Sequence, residues 1–122
     1  MKRKVFELVH QNWGLMGPCS WNNDKWCVYD DNSVDKKEYY NDEKGIAGTP
    51  VETLSTFELK PEKMNLLIDL INIAKINEEQ VDACDGDAWE FIYYENGKVS
   101  WKREMDYIYG IECLEKITEI FE

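Results

Sequence analysis

The sequence has one histidine and lacks the motifs that bind common cofactors. Its seven glycines are dispersed and form neither GxxxxGK[ST] nor GxGxxG, so the usual phosphate-binding loops are missing. Its four cysteines have no CxxC spacing, which disfavours structural zinc and indicates reduced, mostly buried thiols; they are Cys19, Cys27, Cys84 and Cys113. A Cys19–Cys27 disulfide is the alternative.

Long apolar runs are also missing. No run approaches the roughly 18 residues of a membrane span, and no signal-peptide core follows the basic residues 1–4. Basic residues are scarce, since 14 Lys and Arg face 25 Asp and Glu and leave a net charge of −11. This charge opposes phosphate backbones and anionic lipids. We therefore expect a cytoplasmic protein that binds no cofactor, no membrane and no nucleic acid directly.

Aromatic residues, by contrast, are abundant. The chain has 122 residues, of which 13% are Trp, Tyr or Phe, far more than a disordered segment carries. This length supports one hydrophobic core but not two. The prediction is a single folded domain that spans residues 1–122.

Two segments have helical periodicity. Pro61–Ile76 opens with proline at a first helical position, and apolar residues occupy nearly all of its circumference outside one polar stripe. We therefore expect this helix to be buried on most sides. The segment Ile111–Phe121 follows Gly110 and repeats apolar residues on one face, which predicts an amphipathic helix at the end of the chain.

The clearest β-hairpin is centred on Asn96-Gly97, a dipeptide that favours a two-residue type I′ turn. A two-residue loop sets the register and pairs Glu95 with Lys98, Tyr94 with Val99, Ile92 with Trp101, and Glu90 with Arg103. One face then carries Ile92, Tyr94, Val99 and Trp101, which we assign to the core. The other carries Trp89, Phe91 and Tyr93, for which both burial and exposure stay open.

The remaining β-type segments predict an α+β fold, in which one antiparallel sheet has both helices packed against it. The N-terminal half is a looser copy of the C-terminal half, because Trp26, Tyr29, Asn32 and Val34 follow one another much as Trp89, Tyr93, Asn96 and Val99 do. Two strand–strand–helix half-units, residues 1–76 and 77–122, are one interpretation; chance similarity between short hairpins is the other.

Three short segments carry a family resemblance. GPCSW at residues 17–21, DGDAWE at residues 85–90 and YIYGI at residues 107–111 resemble segments of a group of small uncharacterised bacterial proteins. The similar segments lie in the two ends of the chain, and the middle is unmatched. The resemblance implies a bacterial origin and assigns no activity, cofactor or residue role.

Catalytic and metal-binding arrangements have weak support. Cys19 precedes Ser-Trp as protease nucleophiles can, but His10 lies upstream of it with no identifiable orienting partner. Asp82, Asp85, Asp87 and Glu90 lie within nine residues, without the spacing of an EF-hand. A calcium or magnesium site there, or a metal-dependent or carboxylate-based hydrolase, is the alternative to ordinary turn chemistry. We expect no enzymatic activity.

The charge distribution is the most informative feature. Residues 1–60 carry −2 and residues 61–122 carry −9, and the segment from Glu78 to Glu95 has seven carboxylates and no lysine or arginine. Carboxylates around aromatic rings are typical of surfaces that capture basic partners. We therefore expect a small binding protein of the inhibitor or immunity type that docks to a basic protein partner. The candidate residues are Asp82, Asp85, Asp87, Glu90, Trp89, Phe91 and Tyr93, and the alternative to docking is solubility alone. A self-associating structural subunit, whose exposed aromatic residues would meet those of a second copy, is a further alternative.

Overall fold

The computed structural model describes residues 2–12, 22–41, 50–77, 87–106, 108 and 110–121. Within them the chain forms six β-strands and two α-helices, and the fold is α+β as predicted. In chain order these are β1 (Lys4–Asn12), β2 (Asn22–Tyr29), β3 (Ser33–Asn41), β4 (Pro50–Glu58), α1 (Pro61–Ile76), β5 (Asp87–Glu95), β6 (Lys98–Met105) and α2 (Glu112–Ile120).

The six strands form one antiparallel sheet in the order β4-β3-β2-β1-β5-β6. The first four strands follow one another as a meander, and the β5–β6 hairpin then adds to the free edge of β1. β1, the first strand in the sequence, is therefore an inner strand of the sheet. Its partners come from both halves of the chain.

The core lies between one face of this sheet and the two helices. Phe6 and Leu8 of β1 are fully buried there, and the ring of Phe121, next to α2, lies 6.1 Å from that of Phe6. We call this side of the sheet the helix face and the opposite side the open face. Buried core residues of the helix face are Phe6, Leu8, Trp26, Val28, Val34, Trp89 and Phe91.

The helices match the predicted segments closely. Pro61 occupies the first turn of α1, where its missing N–H costs no hydrogen bond. α2 presents an apolar stripe to the sheet and begins directly after Ile111. Among the described residues, no helix is long and apolar enough to span a membrane.

The prediction that α1 is buried on most sides is wrong. Its buried residues are Leu67, Leu70, Ile71 and Ala74, which face the sheet and α2. Leu66 is 43% exposed, Ile73 50% and Ile76 82%. A two-layer fold offers a helix one sheet face and one neighbouring helix, and in the described structure no third layer covers the remaining side.

The β5–β6 hairpin corrects the predicted face assignment. Glu95–Lys98 and Tyr94–Val99 pair as expected, but a β-bulge follows, and Trp101 pairs with Tyr93 instead of Ile92. The extra residue moves Trp101 to the helix face, where it packs against the core with Tyr93. Ile92, Tyr94 and Val99 lie on the open face. Glu90 pairs with Glu104, so the predicted Glu90–Arg103 pair is wrong as well.

The proposed half-units share one local feature. Asn32 and Asn96 both turn their hairpins with positive φ, at 69° and 53°. Their surroundings differ, since Val34 is fully buried and Val99 is 57% exposed. Of the strands in the described residues, four precede α1 and two lie between the helices, and an internal duplication stays a prediction.

Truncating a side chain on each face of the hairpin should have very different effects on stability. Phe91→Ala should lower the free energy of unfolding by about 3–5 kcal/mol, because it empties a fully buried site. Val99→Ala, on the open face, should change it by less than about 0.5 kcal/mol. Chemical denaturation of both variants measures the difference, and equal effects would contradict the observed placement of the two faces.

Candidate functional site

Two of the four acidic residues predicted as a docking rim, Asp87 and Glu90, are among the described residues. Asp82 and Asp85 lie outside the described residues, and Asp87 begins β5 with a side chain that is also outside them. Glu90 lies on the open face, where it is directly opposite Glu104 of β6. Their roles as a rim stay a prediction, and Glu90 is the one whose surroundings can be described.

The aromatic residues of the same candidate set belong to the core. Trp89 is 8% exposed and Phe91 is fully buried on the helix face. Tyr93 is partly buried, and the Lys75 Nζ lies 4.5 Å from the centre of its ring. Burial is thus the correct alternative for Trp89 and Phe91, and neither ring can serve as an exposed anchor for a partner.

Glu90 lies beside a shallow acidic pocket at one end of the β5–β6 hairpin. The pocket has a volume of about 440 Å³, and Gln11, Glu104 and Asp106 are among its lining residues. Lys102 is 3.0 Å from the Glu90 carboxylate and 3.2 Å from that of Glu104. Hydrogen bonds to these two carboxylates raise the pKa of Lys102. Lys102 therefore stays positively charged and offsets part of the negative charge of Glu90 and Glu104.

The histidine and cysteine chemistry considered from the sequence has little support in the described residues. The His10 ring stacks on Trp89 at 3.8 Å, and its Nδ1 is 4.0 Å from an Asp24 carboxylate oxygen. Cys19 lies outside the described residues, so the Cys19–His10 pair stays untested. Cys27 is a free thiol, which contradicts the alternative Cys19–Cys27 disulfide. Burial raises the pKa of the Cys27 thiol, and a raised pKa disfavours the reactive thiolate.

Metal binding can be judged only for the part of the chain that the structure describes. There, no three histidine, cysteine or carboxylate side chains come together as ligands. Asp82 and Asp85 are not among these residues, so a cation site in their segment is neither supported nor contradicted.

The outward side of α1 is an exposed surface that sequence reasoning missed. Its residues recur at intervals of four and three, and all five are exposed: Glu62, Leu66, Asp69, Ile73 and Ile76. We call this set the α1 outer stripe. Three large apolar side chains share this face of the helix with two carboxylates, and intervals of four and three are the spacing of a helix–helix seam. The spacing is present in the sequence, but the nearly all-apolar segment predicted a helix buried on most sides, so these positions were not expected to be exposed.

A notch between α1 and α2 adjoins this stripe. It has a volume of about 280 Å³, and its walls include Leu70, Ile73 and Cys113. Glu112 and Lys116 of α2 also line it and form an ion pair at 2.7 Å. The notch therefore combines apolar walls, which include the exposed Ile73, with an ion pair at its edge.

The open face contains a buried charge, Glu7, at the centre of the sheet. Glu7 is 5% exposed and forms an ion pair with Lys4, while Lys25 lies 3.6 Å away and the Tyr94 hydroxyl donates a hydrogen bond at 3.0 Å. Burial alone would raise the pKa of Glu7. The hydrogen bond from Lys4, the charge of Lys25 and the Tyr94 hydroxyl outweigh burial and hold this pKa below its ordinary value.

The Glu7 network predicts a pH-dependent contribution to stability. A carboxylate with a lowered pKa in the folded state stabilises the fold above its unfolded pKa, and this contribution disappears as the pH falls through the folded pKa. Glu7→Gln should therefore lower the free energy of unfolding by about 1–3 kcal/mol at neutral pH, and by progressively less below about 4.5. Urea denaturation at several pH values measures this, with the exposed Glu58→Gln as control. A pH-independent difference would contradict the assignment.

Comparisons with known proteins do not place the chain in a family. No protein-family model matches it, and no curated protein matches it at a significant level of similarity. The resemblance carried by residues 17–21, 85–90 and 107–111 therefore has no support beyond those segments. The geometry described above is the basis for any functional proposal.

Proposed function

We propose that this is a small, non-enzymatic, cytoplasmic binding protein that docks to a basic protein partner, in the manner of an inhibitor or immunity protein. The observation that carries this proposal is the α1 outer stripe. Its apolar side chains form the contact centre that Trp89 and Phe91 cannot provide from the core. Carboxylates on the same helix face select a partner with the opposite charge.

Charge around the stripe supports this choice of partner. Glu62 and Asp69 belong to the stripe itself, and both are exposed. The sequence places Glu78 and Glu79 only two and three residues beyond Ile76, at the start of the acidic segment. Across the notch, α2 contributes Glu112, whose charge is paired with that of Lys116 at 2.7 Å. A partner with lysine or arginine around an apolar ridge would match this pattern.

The geometry of the stripe favours a helical segment of the partner. Positions spaced by four and three along α1 form a nearly straight seam, and an amphipathic helix can lie along such a seam. A bulky apolar side chain of the partner could enter the notch beside Ile73. Buried apolar contacts would then supply most of the affinity, while the carboxylates would raise the association rate.

Removing the apolar centre should weaken capture of the partner without unfolding the protein. Tagged protein should retain a basic partner from lysate of the source organism at about 50 mM salt and release it near about 300 mM. Ile73→Ser with Ile76→Ser should weaken its affinity by roughly 30- to 700-fold, because exposed contact residues of this size contribute about 1–2 kcal/mol each and about 1.4 kcal/mol corresponds to tenfold in affinity.

Leu54→Ser is the matched control for that experiment, since Leu54 is 70% exposed but lies on β4, away from the helices. It should leave the affinity unchanged. If the double variant binds as tightly as the wild type, the α1 outer stripe is not the docking surface. If the folded protein retains no basic partner at low salt, the proposed function itself is wrong.

Charge reversal within the stripe should act mainly on the association rate. Asp69→Lys should slow association several-fold and flatten its salt dependence, because it places a positive charge at the centre of the contact. Glu58→Lys changes the net charge equally at an exposed site on β4 and should have a much smaller effect. Stopped-flow or surface-based kinetics with the captured partner compares them, and equal slowing would attribute the effect to net charge alone.

A further inference from the structure

Charged residues of opposite sign lie on opposite sides of β1 on the open face. One row of directly paired residues crosses all six strands, and Val9 of β1 lies within it. From β6 to β4 the row consists of Glu104, Glu90, Val9, Lys25, Lys37 and Leu54. Both carboxylates are on the β5–β6 side of Val9, and both lysines are on the β2–β3 side.

This segregation is unfavourable for a face that meets only water. Like charges directly opposite each other on neighbouring strands are destabilising, and the row contains two such pairs, Glu90 with Glu104 and Lys25 with Lys37. Opposite charges on the same face compensate for part of this repulsion, since Lys102 forms ion pairs with both Glu90 and Glu104 and Lys37 is 3.4 Å from Glu52. The side chain of Lys37 is still 50% exposed. The side chain of Glu104 is 68% exposed.

The neighbouring row on the open face also has opposite charges on the two sides of β1, but here the positive charge is on the β6 side. It runs from Lys102 on β6 through Ile92, Glu7 and Cys27 to Asp35 on β3. Lys102 and Asp35 are each two strands away from β1, on opposite sides, and carry opposite charges. Ile92 and Cys27 are each one strand away, and both are weakly polar or apolar.

We propose that two copies of this chain associate through their open faces, about a twofold axis that runs along β1. Rotation about such an axis places the β5–β6 strands of one copy over the β2–β3 strands of the other. Each row of residues then lies opposite the same row of the second copy. Glu90 and Glu104 then face Lys25 and Lys37 of the second copy, and Lys102 faces Asp35. A twofold axis across the strands, midway between the two rows, would also pair Glu104 with Lys102 and Lys37 with Asp35, but it would place Glu90 opposite Ile92 and Lys25 opposite Cys27. The axis along β1 gives every one of these six charged residues an opposite charge, so charge complementarity favours it.

The open-face residues of β1, which lie on the proposed axis, are compatible with this dimer. Glu7 of each copy lies on β1 and faces its own equivalent, but it is buried and neutralised by Lys4 and Lys25 of its own chain. Val9, also on β1, would meet its own equivalent as an apolar contact. Lys4 of β1 also lies near the axis with a side chain that is 36% exposed, and its ammonium group forms an ion pair with Glu7 of its own chain. The axis therefore brings together two Lys4–Glu7 ion pairs rather than two unpaired like charges.

The area of the face is sufficient for a dimer. Six strands about 4.8 Å apart and eight or nine residues long present roughly 700 Å² on each copy. Two such faces would bury roughly 1,400 Å² in total, within the range of specific protein interfaces. The α1 outer stripe lies on the other layer and stays accessible, so the dimer and the proposed partner are independent of each other.

Sedimentation of the wild type from about 10 μM to about 1 mM should reveal a monomer–dimer equilibrium. Glu104→Lys and Lys37→Glu should each weaken dimerisation about tenfold or more, because each places two like-charged contacts in the symmetric interface. An equimolar mixture of the two variants should restore dimers, since the heterodimer has both charge pairs in the favourable order. Neither position belongs to the Glu7 network, and circular dichroism verifies that each variant is folded.

The change in net charge distinguishes the proposed interface from general electrostatic repulsion between two acidic copies. Glu104→Lys makes the chain less acidic, so general repulsion between copies predicts stronger association, whereas the proposed interface predicts weaker association. Glu119→Lys on α2 makes the same change in charge outside the interface and should not weaken the dimer. A wild type that is monomeric throughout the concentration range would overturn the proposal. So would a dimer that Glu104→Lys leaves intact, or a mixture of variants that stays monomeric.

Discussion

Burial of one face of a six-stranded sheet under two helices is the constraint on which the other features of this structure depend. The apolar residues of β1, β2 and β5 and the inner sides of α1 and α2 form one core. Because the fold has two layers, each layer also has an outer side with no counterpart in the described structure. The outer side of the helices presents the α1 outer stripe, and the outer side of the sheet presents the charged rows. Both proposals concern these two surfaces.

β1 has a special role because it joins the two halves of the sheet. Its helix-face residues Phe6 and Leu8 are fully buried, and its open-face residue Glu7 is buried as well. A carboxylate in this position is tolerated because Lys4, Lys25 and Tyr94 satisfy it, and these residues come from three different strands. The same strand thus provides the centre of the core and the centre of the open face, with hydrophobic contacts on one side and charge pairing on the other.

In the β5–β6 hairpin, the turn sequence predicts the strand register only for the residues next to the turn. The Asn96-Gly97 turn predicted the first two residue pairs correctly, because a two-residue loop determines the adjacent register. One bulged residue then exchanged the faces of the strand beyond it, and this moved Trp101 into contact with the core. Alternation could not identify the buried face in advance, because both faces of the hairpin carry aromatic residues. The decision depended on the side from which the helices approach.

The sequence by itself determined the α+β class, the two helices and the acidic character of the chain, because periodicity, turn residues and charge counts are local properties. It also located the carboxylate-rich segment between Glu78 and Glu95. Only the tertiary structure decided that Trp89 and Phe91 are core residues while Ile73 and Ile76 are exposed, because burial depends on which surfaces the layers cover. The separation of charge on either side of β1 likewise depends on strand order, since residues 9, 25, 37, 90 and 104 are far apart in the chain and become neighbours only in the sheet.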